Sequence, residues 1–271
     1  MKKFGILTTI AALVLSANTA FANETIKVGA TPVPHAEILE AVKPVLAKEG
    51  YDLEIVEFND YVQPNLATSD GQLDANYFQH LPYLESFVKE RGSDLVSVAG
   101  VHIEPIAIYS HKIKDLKDLK EGSTVAIPND PTNGGRALLL LQSAGLITLD
   151  DPKSITATSL DIKDNPKNLK FSELEAPQLP RSLDDADISV INGNYAIGAG
   201  LNPVKDSLFI EGADSPYVNV IVANSKTKDS AKVKALIKAV QTPEIKKFIE
   251  DKYQGSVVAA FSYIITKFYI T

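Results

Sequence analysis

The stretch "AIPNDPTNGGRALLLL", residues 126–141, joins three kinds of segment. Its short apolar start predicts a strand that ends at the first proline, the polar middle predicts a turn, and the leucine-rich end predicts a helix. Asp130, Thr132 and Asn133 are residue types that cap helix N-termini, and Pro131 suits a first helical turn. Strand, turn and helix in this order form the repeating unit of α/β proteins.

The start of this helix is also a candidate site for an anion. Its first backbone N–H groups lack partners within the helix, and the helix dipole places positive charge there. Arg136 adds a guanidinium that can hold a carboxylate through two hydrogen bonds. Gly134 and Gly135 would let a ligand approach the backbone. A carboxylate suits the stretch better than a phosphate because the P-loop pattern is absent; a plain capped helix with a surface arginine is the alternative.

Strand and helix patterns alternate along the rest of the chain. Three strand–helix pairs run from "IKVGATP" to "LPYLESFVKERG", and the rhythm resumes at "TVAIPND" and ends in two amphipathic helices. This order predicts parallel sheets covered by helices on both faces. Apolar extended segments at residues 101–110 and 215–224 flank the second unit and predict two crossover strands.

A chain that leaves one lobe, builds a second and returns predicts a two-lobed α/β protein with its ligand in the cleft, near the carboxyl ends of the strands. The predicted bounds are residues 23–107 for the first part of lobe 1, 108–216 for lobe 2, and 217–261 for the return to lobe 1 with the C-terminal helices.

Composition excludes several functions. The 27 basic and 34 acidic residues give a formal charge of -7, which argues against a general nucleic-acid binder. Without cysteine the chain offers no disulfide, no thiol nucleophile and no cysteine for a lipid anchor. The four histidines are scattered and show no H-x-x-x-H spacing, and no Ser/His/Asp set stands out. The sequence therefore predicts no metal site, no cofactor and no catalytic site.

The two ends of the chain differ from its middle. A basic start, a short apolar run and the sequence Ala20-Phe21-Ala22 predict a secretory signal peptide over residues 1–22. A retained membrane anchor is the alternative, for which the apolar run is short. Residues 262–271, "SYIITKFYIT", form an atypical apolar tail that could be an added strand, a disordered end or a sequencing artefact. We expect a periplasmic or cell-surface protein without a lipid anchor.

Aromatic side chains follow one predicted strand. "ANYFQHLPY" places Tyr77, Phe78, His80 and Tyr83 where a strand gives way to a helix, and "FNDYVQPN" adds Tyr61. Rings at such a position can form an apolar cage that also suits a thioether sulfur. The alternative is that these rings fill the core between helix and sheet.

Asparagines stand at or inside two apolar strands. Asn192 and Asn194 follow the strand in "ADISVIN", and Asn219 lies within "SPYVNVIV". An amide can accept a hydrogen bond from an ammonium and donate one to a carboxylate. Helix capping is the alternative for Asn192 and Asn194, and an outward-facing strand position is the alternative for Asn219.

Several of these stretches together resemble a known family. The motifs "GATPVPHAEIL", "LDANYFQHLPYL", "VAIPNDPTNGGRALLLLQ", "VINGNYA" and "SPYVN" resemble the methionine-binding proteins of bacterial ABC importers, the NlpA or outer-membrane-lipoprotein-28 family, from about residue 26 to 261. The resemblance implies a type 2 periplasmic-binding fold that closes on methionine and delivers it to the permease and ATPase subunits of an importer. We expect a monomer. Because the family's anchoring cysteine is missing, we also expect it to diffuse freely through the periplasm.

The resemblance also implies roles for particular residues. Arg136 would hold the ligand carboxylate, and Asn194 and Asn219 would hold its amino and carboxylate groups. Tyr61, Phe78 and His80 would line the side-chain pocket. The complete set of predicted ligand-binding residues is Arg136, Asn219, Asn194, Phe78, His80, Tyr61, Tyr77 and Asn133.

Other functions stay open at this point. The same clamp could hold a short methionine-containing peptide or another amino acid, since one methylene changes binding by only about 1–3 kcal/mol. A metal-binding importer subunit would need ligands from both lobes and usually a histidine-rich loop. An enzyme would need a nucleophile and base that converge, and a surface antigen or adhesin with a vestigial cleft would need no ligand contacts at all.

Overall fold

The computed structural model describes residues 23–212 and 215–261. The predicted signal peptide and the atypical tail lie outside these residues. The strands and helices run in the order β1 (Glu24–Ala30), α1 (Glu37–Ala47), β2 (Tyr51–Glu57), α2 (Gln63–Ser69), β3 (Ala75–His80), α3 (Leu81–Arg91), β4 (Leu95–Ile103), β5 (Ala107–Tyr109), β6 (Thr124–Pro128), α4 (Pro131–Ser143), β7 (Thr148–Leu149), β8 (Ile162–Asp164), β9 (Lys170–Leu174), α5 (Leu179–Ser182), β10 (Ile188–Ile191), α6 (Gly193–Gly198), β11 (Phe209–Ile210), β12 (Val218–Asn224), α7 (Ala231–Val240), α8 (Pro243–Tyr253) and β13 (Val258–Ala259).

The strands form two main sheets, one in each lobe. The sheet of lobe 1 has the order β13-β4-β12-β3-β1-β2, and that of lobe 2 has the order β11-β5-β10-β6-β9. The chain passes from the first sheet to the second between β4 and β5 and returns between β11 and β12. The predicted two-lobed α/β architecture with two crossovers is therefore confirmed, while the residue bounds given above for each lobe stay a prediction.

The prediction of parallel sheets holds for only part of each sheet. Strands β1, β2 and β3 are parallel, as are β6, β9 and β10. Strand β12, however, lies antiparallel between β3 and β4, and β5 lies antiparallel between β10 and β11. Strands β12 and β5 each lie next to a crossover, and each runs opposite to the parallel strands of its sheet. A buried strand is a continuous apolar run in either direction, so its composition does not show the direction.

Each lobe has a hydrophobic core of its own. In lobe 1, strands β1 and β12 pack against α1, α7 and α8 through fully buried side chains that include Ile26, Val28, Leu39, Leu236 and Ile249. In lobe 2, β5 and β6 pack against α4 through Ile108, Val125, Ile127, Leu138 and Leu141. Full burial stabilises such a side chain by roughly 1.5–3 kcal/mol relative to exposure. Two separate cores leave the space between the lobes free for a binding site.

Helix α4 begins as the sequence predicts. Asp130 is its N-cap, and its Oδ1 accepts the backbone N–H of Asn133 at 2.9 Å. The expected role of Gly135 is wrong, however, because a Cβ there would lie 2.4 Å from the carbonyl oxygen of Ile155. The glycine thus lets a loop of lobe 2 pack against the helix rather than giving a ligand room. The fold in this way places the start of α4, with Arg136 one turn further, beside the cleft.

Candidate functional site

A cavity lies in the cleft between the two lobes, in about 330 Å³ of empty space that is partly open to solvent. It is lined from both lobes and both crossovers by Tyr61, Phe78, Gln79, His80, Tyr83, Glu104, Asn133, Arg136, Asn192, Gly193, Asn194 and Asn219. The cavity combines charged, amide and aromatic side chains, which suits a small ligand with both polar and apolar parts.

The structure brings seven of the eight predicted ligand-binding residues together around this cavity: Arg136, Asn219, Asn194, Phe78, His80, Tyr61 and Asn133. Sheet register explains part of this convergence, because Asn219 on β12 pairs with His80 on β3 and with His102 on β4. Asn219 is 5% exposed, so the outward-facing alternative for this residue is wrong.

Tyr77 is the predicted residue that does not line the cavity. Its side chain is fully buried in the core of lobe 1, and its hydroxyl contacts Nδ1 of His102. Neighbouring side chains on a strand point to opposite faces of the sheet, so Phe78 reaches the cavity and Tyr77 lies beneath it. For Tyr77 the core alternative is the correct one.

Side chains of the two lobes contact each other directly across the cleft. His80 Nε2 lies 3.0 Å from Asn133 Oδ1, and the Tyr61 hydroxyl donates to Asn194 Oδ1 at 2.6 Å. At the rim, the Tyr195 hydroxyl donates to the carbonyl oxygen of Asn59 at 3.1 Å. These hydrogen bonds describe a closed arrangement of the lobes around the cavity.

A buried hydrogen-bonded group lies under the cavity. The Nε2 atoms of His35 and His102 lie 3.2 and 2.7 Å from Oε1 of Glu104. Burial lowers the pKa of His35 to about 4 and that of His102 to about 3, so both rings are neutral near pH 7. Each ring then carries its one proton on the nitrogen that faces the carboxylate. His102 therefore donates its Nε2–H to Glu104, and the Nε2–H of His35 lies beside the same carboxylate.

Glu104 is the acidic residue of the cavity. Burial is the largest effect and raises the pKa of the Glu104 carboxyl above its usual value, while the charge of Arg136 and the backbone N–H of Asn194 act in the opposite direction. A carboxylate that accepts several hydrogen bonds is stabilised in its ionised form. Glu104 thus places a carboxyl group, with hydrogen-bond donors around it, at the crossover between β4 and β5.

The amide of Asn219 has a fixed orientation. His35 Nε2 lies 2.9 Å from Asn219 Oδ1. That nitrogen carries the ring's one proton because it faces the Glu104 carboxylate, and it donates this proton to Asn219, so Oδ1 is the accepting atom. The Nδ2 group of Asn219 is therefore left to donate into the cavity.

Arg136 is held by a second acidic residue that the sequence did not suggest. Its Nε and Nη2 donate to the carboxylate of Glu211 at 2.9 and 2.5 Å, and Nη2 also donates to the carbonyl oxygen of Glu104 at 2.7 Å. The Tyr217 ring lies 4.2 Å from the guanidinium carbon. The two-pronged face of Arg136 is thus occupied by Glu211, and Nη1 is the donor group left without a protein partner among the residues described.

Aromatic rings form one wall of the cavity. The ring of Tyr61 lies 5.9 Å from that of Phe78 and 5.7 Å from that of Tyr83, between ring centroids. The Tyr83 hydroxyl donates to the carbonyl oxygen of Tyr61 at 2.9 Å and so holds this wall in place. Such a wall offers an apolar slot beside the charged groups.

The histidines are less scattered than the sequence suggested. Ligand atoms of His35, His102 and Glu104 lie within 4.8 Å of one another, a group of residue types that could hold a metal ion. Metal binding would require both Nε2 atoms to lose their protons, and those protons make the hydrogen bonds of His102 to Glu104 and of His35 to Asn219.

In the described part of the chain, no helix is long and apolar enough to cross a membrane.

Sequence reasoning missed Glu104, Gln79 and Glu211, whereas Tyr83, one of the aromatic residues proposed for the cage, lines the cavity. Glu104 carried a usable signal, because a charged residue in the apolar segment "VHIEPIAIYS" is as unexpected as Asn219 in its own strand. Glu211 carried none, since its contact with Arg136 spans 75 positions of the chain.

Two α/β lobes, two crossovers and a ligand-sized cleft between the lobes define the class of type 2 periplasmic-binding proteins. The profile of the NlpA lipoprotein family matches residues 26–261, and the chain belongs to this family. The prediction of the family from sequence motifs is therefore confirmed.

Known relatives cover most of the chain. D-methionine-binding lipoprotein MetQ of Salmonella typhi is 53% identical over 237 residues, which are 86% of this chain and 87% of the relative. A nutrient-binding protein of Burkholderia cenocepacia, solved with bound methionine, is 52% identical with a TM-score of 0.84 and covers 87% of this chain and 100% of its own. The methionine-binding protein MetQ, also solved, is 50% identical with a TM-score of 0.84 over 88% of this chain and 98% of its own.

Proposed function

We propose that this chain is a solute-binding protein that captures free methionine and delivers it to an ABC importer. One observation carries the proposal: a cleft with Arg136, Asn219 and Glu104 beside an aromatic wall, in a chain that is 52% identical to a structure with bound methionine. An α-amino acid is a zwitterion, so both of its charges need partners when it leaves water. The cleft offers partners of both signs.

The carboxylate of the ligand is held by donors. Arg136 offers Nη1, and Asn219 offers Nδ2 because its Oδ1 accepts from His35. Asn194 likewise offers Nδ2, since its Oδ1 accepts from Tyr61. Hydrogen bonds to charged groups contribute about 1.5–3 kcal/mol each.

The ammonium group of the ligand is placed at Glu104. The amides of Asn194 and Asn219 present donors to the cavity, which leaves them unsuited to an ammonium. Glu104 is the carboxylate that lines the cavity, and its side chain is 6% exposed. A charge pair at low exposure is screened little by solvent and salt, so Glu104 gives the site its selectivity for a cationic amine.

The methionine side chain lies along the aromatic wall of Tyr61, Phe78 and Tyr83. Burial contributes about 0.8 kcal/mol per CH₂, and the thioether sulfur gains further from the ring edges. The interlobe hydrogen bonds that close over the cavity favour a free amino acid over a peptide. The closed lobes form the surface on which the permease and ATPase subunits of the importer act.

The remaining properties follow from this role. The protein acts outside the cytoplasm as a monomer, binds without chemical conversion, and needs no cofactor. The relatives are named as lipoproteins, and the absence of a lipid anchor here stays a prediction.

Native mass spectrometry of the purified chain from Asn23 onward tests the proposal, with identification of any released small molecule. We expect one methionine per chain, or, for an empty protein, thermal stabilisation by added methionine. Methionine at a thousandfold excess over Kd stabilises the folded state by about 4 kcal/mol. A different trapped molecule would refute the ligand, and no ligand with no stabilisation would favour the adhesin alternative.

A further inference from the structure

Strand β3 carries an extra residue beside the cavity. Val220 of β12 pairs with Gln79 of β3. The next residue of β12, Ile221, pairs with Tyr77. Phe78 therefore lies between two paired residues as the extra residue of a β-bulge, a feature that turns side chains to new directions and is frequent next to binding sites.

The bulge moves Gln79 to the opposite face of the sheet. In a regular strand Gln79 would share a face with Tyr77, two positions before it. Tyr77 and its partner Ile221 belong to the core of lobe 1. Val220, the partner of Gln79, belongs to a separate apolar cluster with side chains of α3. Because paired residues of two strands share a face, Gln79 lies on the side of α3 and not in the core.

A buried amide network holds Gln79 on this face. Asn65 of α2 and Gln79 bind each other twice: Asn65 Nδ2 donates to Gln79 Oε1 at 2.9 Å, and Gln79 Nε2 donates to Asn65 Oδ1 at 2.6 Å. Gln79 Nε2 also donates to Asn76 Oδ1 at 2.9 Å. Asn76 Nδ2 in turn donates to Thr68 Oγ1 at 2.7 Å. All four side chains are at most 3% exposed.

These hydrogen bonds give Gln79 a role other than ligand contact. Its amide has two N–H groups, and its nitrogen donates to two protein oxygens, so the amide is not a donor to the ligand. In a regular strand the same amide would lie in the apolar core beside Tyr77, and a buried amide without partners is costly. The network therefore favours the bulged strand over the regular one.

We propose that Gln79 is a positioning residue, which with its partner Asn65 holds the bulge that sets Phe78 against the side chain of the ligand. The inference rests on the proposed binding of methionine. Phe78 lines the cavity, and its ring lies 5.9 Å from that of Tyr61 in the aromatic wall. Arg136 lies on another element, α4. Loss of the bulge would thus change the slot for the methionine side chain and leave this partner of the ligand carboxylate in place.

Two variants and two ligands test the inference. Gln79→Leu removes the amide at similar volume, and Gln79→Asn keeps an amide that is one methylene too short to reach both partners. The ligands are methionine and 2-aminobutyrate, which share the amino acid core, but 2-aminobutyrate is too short to extend along the aromatic wall. Affinities come from calorimetry, with displacement of methionine for the weaker ligand.

The matched control is Ser189→Ala in lobe 2. Ser189 is fully buried and shares a hydrogen bond of 2.7 Å with Ser182. The control therefore also loses a buried hydrogen bond, but far from the bulge. Thermal melting without ligand compares the stability of all variants, and we expect Ser189→Ala to melt at a lower temperature with both affinities unchanged.

We expect both Gln79 variants to weaken methionine by at least tenfold and 2-aminobutyrate by less than threefold. If Gln79→Leu does not fold, the milder Gln79→Asn decides by the same criteria. A loss on methionine below threefold in a folded variant, or an equal loss on both ligands, overturns the inference. Wild-type protein that does not bind methionine instead refutes the proposed function.

Discussion

Replacement of Asn219 by alanine is the most direct test of the carboxylate subsite. Asn219 is 5% exposed and donates Nδ2 into the cavity, while its Oδ1 accepts from His35. The variant loses a hydrogen bond to a charged group, about 1.5–3 kcal/mol. This energy corresponds to a loss of affinity for methionine of roughly 10- to 150-fold.

The same variant should leave the fold nearly intact. When Asn219 is removed, His35 Nε2 still has Oε1 of Glu104 at 3.2 Å, so no buried donor loses its last partner. We therefore expect a melting temperature without ligand close to that of the wild type. This separation of binding from stability lets calorimetry report on the site itself.

The matched control lies on the same strand. Asn224 is at the other end of β12, where its Nδ2 donates to the carbonyl oxygen of Ser69 at 3.3 Å. Asn224→Ala should keep wild-type affinity for methionine. If Asn219→Ala binds within threefold of the wild type while it is folded, Asn219 does not hold the ligand carboxylate and the amide orientation derived from His35 is refuted.

Three further predictions address the remaining parts of the site. Arg136→Ala should weaken methionine by at least tenfold in calorimetry, and wild-type affinity in a folded variant would contradict its role. Tyr61→Phe removes the donor to Asn194 Oδ1, and we expect a loss of about 2- to 13-fold from one hydrogen bond of about 0.5–1.5 kcal/mol; an unchanged Kd would show that this bond does not orient the amide. Acid should destabilise the fold, because His35 and His80 have pKa values of about 4 and 3 when folded and 6.5 as the unperturbed value. The unfolded state then binds more protons below pH 6.5, so each contributes a loss of roughly 1.4 kcal/mol per pH unit towards the folded pKa. Urea unfolding at pH 7 and 5 measures this loss, and equal stability at both pH values would contradict the burial of neutral rings.

Some of the site could be predicted because its residues are locally unusual. Asn219 stands in an apolar strand, and Arg136 follows a polar turn that caps a helix. Both signals depend on neighbours in sequence, and both residues lie at the cavity. Glu104 has the same kind of signal and could have been found in the same way.

Other assignments needed the third dimension. Tyr77 and Phe78 are adjacent aromatic residues of one strand, and only the position of the sheet shows that Phe78 faces the cavity and Tyr77 the core. The role of Gly135 depended on a loop that lies 20 positions later in the chain. Contacts between residues that are distant in the chain do not change the local sequence pattern, so the pattern does not predict them.

The sequence by itself determined the class of this protein: the alternation of strands and helices, the two crossovers, the family and most residues of the site. These follow from hydrophobic periodicity, capping and motifs, which act over a few neighbouring residues. The tertiary structure alone decided the direction of β12 and β5, the meeting of His35 and His102 at Glu104, and the orientation of each amide. A donor and an acceptor are told apart only by the partners that surround them, and those partners come from distant parts of the chain.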